Sequence, residues 1–213
     1  MESQLISKEV EVKIDNVTLS GEVVIPETAQ GVVLFSHGSG SSRFSPRNKY
    51  VAQCLQKADL GTFLFDLLTP EEDSVYENRF NIELITQRLT SVTTWFLNNI
   101  SNTFSIGYFG ASTGAASALW SAATLGETVK AVVSRGGRPD LAIPVLPDVK
   151  AATLLIVGSL DYYVIDLNEK AYSMLMKDRE MIIIEGATHL FEEPGTLDEV
   201  ANHATNWFNK HLK

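Results

Sequence analysis

An α/β fold, with a mostly parallel central sheet of about eight strands and helices on both faces, is predicted by three features of this 213-residue chain. Short, continuously apolar runs recur at residues 32–35, 62–65, 105–109, 131–133, 152–157 and 181–184. Continuous apolarity, as opposed to alternation, marks strands buried on both faces, as in a parallel sheet. Segments with helical spacing fill the gaps between these runs, which is what parallel neighbours require as crossovers. The third feature is a Gly110-Ala-Ser-Thr-Gly114 element between the run ending at Phe109 and an Ala-rich run, a strand, sharp turn and helix in succession.

In chain order, residues 10–14 and 18–25 alternate around Asp15-Asn16 and predict an antiparallel edge hairpin. Ser45-Pro46 supplies an N-cap and a first-turn proline, after which Tyr50, Val51, Cys54, Leu55 and Ala58 recur at helical spacing. Cys54, the only cysteine, therefore belongs to an apolar stripe and leaves no intrachain disulfide. From Glu77 to Asn99 a long helix is expected, with Ile82, Ile85, Leu89, Val92 and Phe96 on its inner face. Thr196 and Glu199 have capping-box spacing, and Val200, Ala204, Trp207 and Phe208 mark the inner face of the last helix.

An apolar content of 45% suffices for the core of a single domain over residues 1–213. The net charge of −9 opposes binding to nucleic acid and to anionic membranes. No apolar run approaches spanning length and the first residues lack the signal-peptide pattern, so the cytoplasm is the expected location. No metal-ligand spacing is present and no cofactor is expected. The Gly38-x-Gly40 segment touches on a dinucleotide fingerprint, which fails where Arg43 occupies the third glycine position.

Ser112 is the expected nucleophile, because small neighbours allow the tight turn that lifts a hydroxyl above the sheet edge. A hydroxyl needs a base to take its proton. Of the four histidines, His203 and His211 fall in the terminal helix and His37 in a turn, whereas His189 directly follows the last apolar strand. Asp161 is the expected acid, since it follows a buried strand and keeps the chain order Ser, Asp, His; Asp140 and Asp166 satisfy that order too. The expected oxyanion donors are the backbone N–H groups of Thr113 and Ser39. His37 is expected to brace the turn that carries Ser39.

With these residues in order, the chain resembles the α/β-hydrolase superfamily, nearest its dienelactone-hydrolase-like branch, over residues 18–212. His37-Gly-Ser-Gly-Ser-Ser-Arg43, Phe65-Asp-Leu-Leu-Thr-Pro-Glu71, Ser134-Arg-Gly-Gly-Arg-Pro-Asp140 and Ala187-Thr-His-Leu-Phe-Glu-Glu-Pro194 are similar to bacterial hydrolase domains of unassigned substrate. Some of those relatives are fused to a phosphoribosyltransferase, which this length leaves no room to contain as well. The resemblance implies nucleophile, acid and base at Ser112, Asp161 and His189. Dienelactone hydrolases proper use a cysteine nucleophile, so Ser112 points to ordinary ester chemistry.

The short connection between residues 133 and 152 leaves no room for a lid domain, so a small or accessible ester is the expected partner. His37, Arg43, Arg135 and Arg138 are grouped as candidate substrate-binding residues, the arginines toward a carboxylate or phosphate. The competing expectation pairs these arginines with Asp66, Glu71 or Asp140. Two further functions remain open: a hydrolase-fold binding module without turnover, and an acyltransferase or peptidase using the same residues.

Overall fold

The computed structural model describes residues 6–213. Asp15, at φ 49°, turns the chain between β1 (Ile6–Ile14) and β2 (Val17–Ile25), which pair antiparallel from Ile6↔Ile25 to Ile14↔Val17. The hairpin joins the sheet through antiparallel pairing of β2 with β4 (Gly61–Phe65). The remaining strands are parallel: β3 (Gly31–Ser36), β5 (Ser105–Ala111), β6 (Val129–Arg135), β7 (Ala152–Gly158) and β8 (Arg179–Ile184). The eight-stranded order is β1-β2-β4-β3-β5-β6-β7-β8.

Six helices accompany the sheet among the described residues: α1 (Pro46–Lys57), the short α2 (Pro70–Asp73), α3 (Ile82–Asn99), α4 (Thr113–Leu125), α5 (Tyr162–Met174) and α6 (Thr196–Leu212). Strand side chains alternate between two cores, as the pleat requires. Val32, Leu34 and Tyr108 pack with Leu89, Phe96 and Leu119 of α3 and α4, while Val33, Phe35 and Phe109 pack with Leu55, Trp207 and Phe208 of α1 and α6. Removing a ring such as Phe208, fully buried beneath the sheet, costs about 3–5 kcal/mol by the usual large-to-small cost.

Two helix starts differ from expectation. The long helix begins at Ile82, not Glu77, because Asn81 Oδ1 accepts the Leu84 N–H at 3.0 Å and residues Tyr76–Phe80 form a separate 3₁₀ turn. The capping box at Thr196 and Glu199 does not form: Gly195, at φ 85°, is the N-cap, and the Thr196 hydroxyl donates to the Glu193 carbonyl at 2.8 Å. A reciprocal box occurs instead at Thr69 and Glu72, starting α2.

Between β6 and β7 the chain runs through 3₁₀ turns over Pro139–Asp148, interrupted by Pro144 and Pro147, and no lid domain is evident among the described residues. Among them, too, no helix is long and apolar enough to cross a membrane. The carboxyl ends of β3 and β5 to β8 open onto a surface shaped by loops and by the first turns of helices, where ligands of such sheets bind.

Candidate active site

Ser112 stands between β5 and α4 at φ 51°, ψ −121°. A non-glycine residue there costs on the order of 1–3 kcal/mol and persists only where its surroundings hold it. They do so through three backbone bonds: the Ser112 N–H donates to the Arg135 carbonyl at 3.3 Å, and the Ser112 carbonyl accepts from Ala115 and Arg138, each at 3.1 Å. The flanking glycines are required by close approach. A Cβ on Gly110 would lie 2.5 Å from the Ala115 Cα, and one on Gly114 only 2.1 Å from the Ser36 carbonyl oxygen. The turn can be this tight only because both lack side chains. The Ser112 side chain makes no cap bond to α4, so its hydroxyl is left to the cleft.

Asp161 follows β7 and His189 follows β8, two adjacent parallel strands. His189 Nδ1–H donates to Asp161 Oδ2 at 2.6 Å, a bond that requires the Nδ1-protonated tautomer or the imidazolium. The acid side chain is 15% exposed and the histidine 38%, so the ring reaches from a sheltered carboxylate into the open. The neighbouring backbone is braced in turn. Thr188 donates its N–H and its hydroxyl to Glu193, at 3.1 and 2.5 Å, and these bonds hold the Glu193 carboxyl below its ordinary range. Gly136, at φ 51°, lies under the histidine, where a Cβ would come within 3.1 Å of the His189 carbonyl oxygen.

Ser112 and His189 face the same two cavities, although among the described residues no hydrogen bond joins the serine hydroxyl to the ring. Such bonds are often long before substrate arrives. The other acids considered lie elsewhere: Asp166 is exposed on α5, and Asp140 is taken by Arg138.

Thr113 is the first residue of α4, so its N–H has no intrahelical carbonyl and is available beside the serine. Ser39 departs from its expected part. Its N–H donates to the Thr113 hydroxyl at 3.0 Å, so this donor is occupied in the observed state. His37 also departs from the candidate substrate contacts, since both ring nitrogens serve backbone. Nδ1–H donates to the Gly38 carbonyl and Nε2 accepts from the Leu67 N–H, each at 3.1 Å. Only the neutral ring can do both, and burial lowers its pKa accordingly.

The three arginines separate sharply. Arg43 is paired with Asp66, whose other oxygen accepts the Arg43 N–H at 2.8 Å. Arg138 forks onto both oxygens of Asp140 at 2.8 Å, and that carboxylate raises its pKa further. Arg135 has no carboxylate partner among the described residues; it is 6% exposed and its guanidinium lies 5.7 Å from the centre of the Phe191 ring. Burial, with a smaller contribution from nearby Arg47, pushes its pKa down to about 10.

The two cavities meet at Ser39, Ser112 and His189, and the second is the more apolar. One, of about 260 Å³, is bounded by Gly38, Ser45, Arg47, Asn48 and Arg135. The other, of about 400 Å³, is bounded by Phe80, Ile82, Leu141, Tyr163 and Val164, with the paired Arg138. A larger groove of about 670 Å³ between α3 and α4 contains neither Ser112 nor His189. Arg47 carried a legible signal, a cation in a first helical turn that holds no acid, against the helix dipole. Tyr163, in the first turn of α5, and Phe80, at the end of a 3₁₀ turn, carried none, because tertiary packing alone brings them to the cleft. Among the described residues no cluster of His, Cys, Asp or Glu is arranged to hold a metal ion.

No family profile matches the chain. Two provisionally named phosphoribosyl transferases from Mycobacterium tuberculosis strains are 50% identical over 209 residues, 98% of this chain but 47% of theirs. The chain thus spans about half the length of these curated relatives. Est1E from Butyrivibrio proteoclasticus shares the fold at TM-score 0.82 and 12% identity, covering 95% of this chain and 98% of that one. A dienelactone hydrolase from Anabaena variabilis superimposes at TM-score 0.95 with 52% identity, over 99% of this chain and 100% of that one. At that identity and coverage, the chain belongs to the dienelactone-hydrolase family of the α/β-hydrolase superfamily.

Proposed function

We propose that this chain is a serine ester hydrolase, acting on small or accessible carboxylic esters or thioesters through an acyl-enzyme at Ser112. The observation that carries the reading is the 2.6 Å bond between Asp161 and His189, formed at the rim of the same cavities that Ser112 lines. Ser112 Oγ attacks the carbonyl carbon while His189 Nε2 takes its proton, and the oxyanion so formed faces the Thr113 N–H. Collapse expels the alcohol or thiol, which takes the proton from Nε2 and leaves the acyl group on Ser112. Water then gives a proton to Nε2 and adds to the acyl carbon, and the acid leaves as Ser112 regains its proton. Asp161 stays ionised throughout, orients the ring and stabilises the imidazolium.

The strained elbow supports this assignment, because a turn of this cost has no evident structural purpose apart from presenting the side chain. The two cavities suit the two halves of an ester, and the open cleft admits water as acceptor. The partner is then a small molecule, no cofactor takes part, and the cytoplasm suits the reaction. The transferase name of the mycobacterial relatives belongs to proteins about twice as long. We assign that name to the half this chain does not match, since the Ser112, His189 and Asp161 arrangement serves acyl chemistry.

Intact-mass measurement after fluorophosphonate treatment tests the proposal. One covalent adduct on the wild type and none on Ser112→Ala are expected, with hydrolysis of p-nitrophenyl acetate falling by about six decades in kcat for that variant. A folded wild type that takes no adduct would leave the binding-module reading standing.

A further inference from the structure

The chain that leaves β6 spends three consecutive backbone groups on three different elements. The Gly136 N–H donates to the Ile156 carbonyl of β7 at 2.8 Å, the Gly137 carbonyl accepts from Asn168 Nδ2 of α5 at 3.0 Å, and the Arg138 N–H donates to the Ser112 carbonyl at 3.1 Å. The outer two bonds are backbone to backbone. The middle one depends on a side chain, and that side chain is fully buried. Asn168 Nδ2 gives a second bond to the Val164 carbonyl at 2.8 Å, while Oδ1 is buried with no partner among the described residues. An unpaired buried acceptor is costly, so an asparagine here is explained by what its N–H groups hold.

What they hold lies between the two halves of the site. Helix α5 starts at Asp161, its N-cap, and Asp161, Val164 and Asn168 recur at helical spacing along one face. The first binds His189, the second bounds the apolar cavity, and the third reaches the segment that supports the serine. Gly137 is pressed close against its neighbours: a Cβ on it would lie 1.9 Å from Ser134 Oγ and 2.6 Å from the Ala115 Cβ. Two glycines in succession have little conformational restraint of their own. The place of the Arg138 N–H, and with it of the Ser112 carbonyl, is therefore set by the groups that grip Gly136 and Gly137.

We propose that Asn168 is a positioning residue for acyl transfer: its hold on the Gly137 carbonyl keeps the Ser112 turn in register with the helix that carries Asp161, and thereby with His189. The reaction in this inference rests on the ester-hydrolase reading, and the tie rests on the hydrogen bonds alone. Asn168 touches neither substrate nor the reacting atoms. Its loss leaves the bond between Asp161 and His189 intact and lets the nucleophile drift from the base, where a misplacement of about 1 Å costs about 100-fold in rate.

Two variants separate this role from a general loosening of the fold. Asn168→Ala removes both bonds. Asn168→Ser keeps a hydroxyl one helical turn from the Val164 carbonyl, the bond that Thr93 makes to Leu89 in α3, and so removes only the hold on Gly137. Each should lower kcat on p-nitrophenyl acetate about 10–100-fold, with KM changed by less than about 3-fold. In an Asp161→Asn background, where the ring no longer serves the serine, the same substitutions should cost less than about 3-fold. Equal losses in both backgrounds, or full kcat in both variants, overturn the proposal. Hydrogen exchange reads the tie without turnover: the Arg138 amide should exchange about 10–100-fold faster in each variant, with the Val133 amide of β6 unchanged. An unchanged Arg138 amide overturns the proposal even if turnover falls. A wild type that neither takes a fluorophosphonate adduct nor turns over ester sinks the ester-hydrolase reading and the positioning role with it, whereas an active wild type leaves Asn168 to be judged by itself. Should Asn168→Ala fail to fold, Asn168→Ser decides on the same readings.

Discussion

The two sides of Ser112 are prepared to different degrees. On the β7 and β8 side, Asp161 already holds His189, and Thr188, Glu193 and Gly136 hold the loop beneath it. On the β3 side, the turn after His37 is just as firmly tied to backbone, yet the donor it should offer, the Ser39 N–H, is spent on the Thr113 hydroxyl. Rigidity is therefore not the same as readiness. The proposed acid–base half is already joined by a hydrogen bond, whereas the proposed oxyanion half has its Ser39 donor occupied by the Thr113 hydroxyl.

Breaking the assembled half gives the largest expected effect. Asp161→Asn should lower kcat by about four decades, because the neutral amide lacks the charge that stabilises an imidazolium and its N–H, by donating to Nδ1, favours the wrong tautomer. Kinetics on p-nitrophenyl acetate read this directly; a variant at full rate would move the acid's part elsewhere and erase the contrast between the sides. Sharpening the other half gives a smaller effect of opposite sign. Thr113→Ala removes the acceptor that occupies the Ser39 N–H and should raise kcat about 2–10-fold, the worth of one competing neutral hydrogen bond. A drop in kcat would mean instead that the hydroxyl holds the turn in its working position.

The third prediction concerns His37, the brace on the closed side. Its folded-state pKa lies below the ordinary 6.5, chiefly through burial, so the unfolded chain binds the proton more readily. The stability His37 contributes is fully present above about pH 6.5 and is lost as pH falls toward the folded value. Thermal unfolding should therefore show a Tm that declines below pH 6.5 more steeply in wild type than in His37→Gln. Parallel Tm profiles for the two proteins would mean that the ring is not kept neutral by its surroundings.

The parallel strands were legible because burial on both faces leaves an unbroken apolar run, as in the stretch that became β7. The elbow was legible because two glycines around a serine, between a strand and a helix, satisfy a steric demand that few other residues meet. Capping was legible only in part. Thr196 and Glu199 have box spacing, but Gly195 takes the cap and the threonine hydroxyl finds a carbonyl three residues back, a competition that spacing does not reveal. The start of α3 was misplaced because the residues before Asn81 have helical periodicity yet close as a 3₁₀ turn.

The arginines mark the boundary between these two kinds of knowledge. From Arg43, Arg135 and Arg138 in the chain one learns that cations stand at strand ends, since position along a parallel sheet follows from local apolar pattern. Which of them is neutralised depends on where Asp66 and Asp140 come to rest, and on Arg47 arriving from another helix. Charge pairing acts over a few ångströms in space and is indifferent to separation in sequence. Order of elements, elbow and candidate nucleophile were thus set by short-range sterics and hydrophobic patterning. The occupied Ser39 donor, the neutral His37 and the solitary Arg135 emerged only when distant segments packed together.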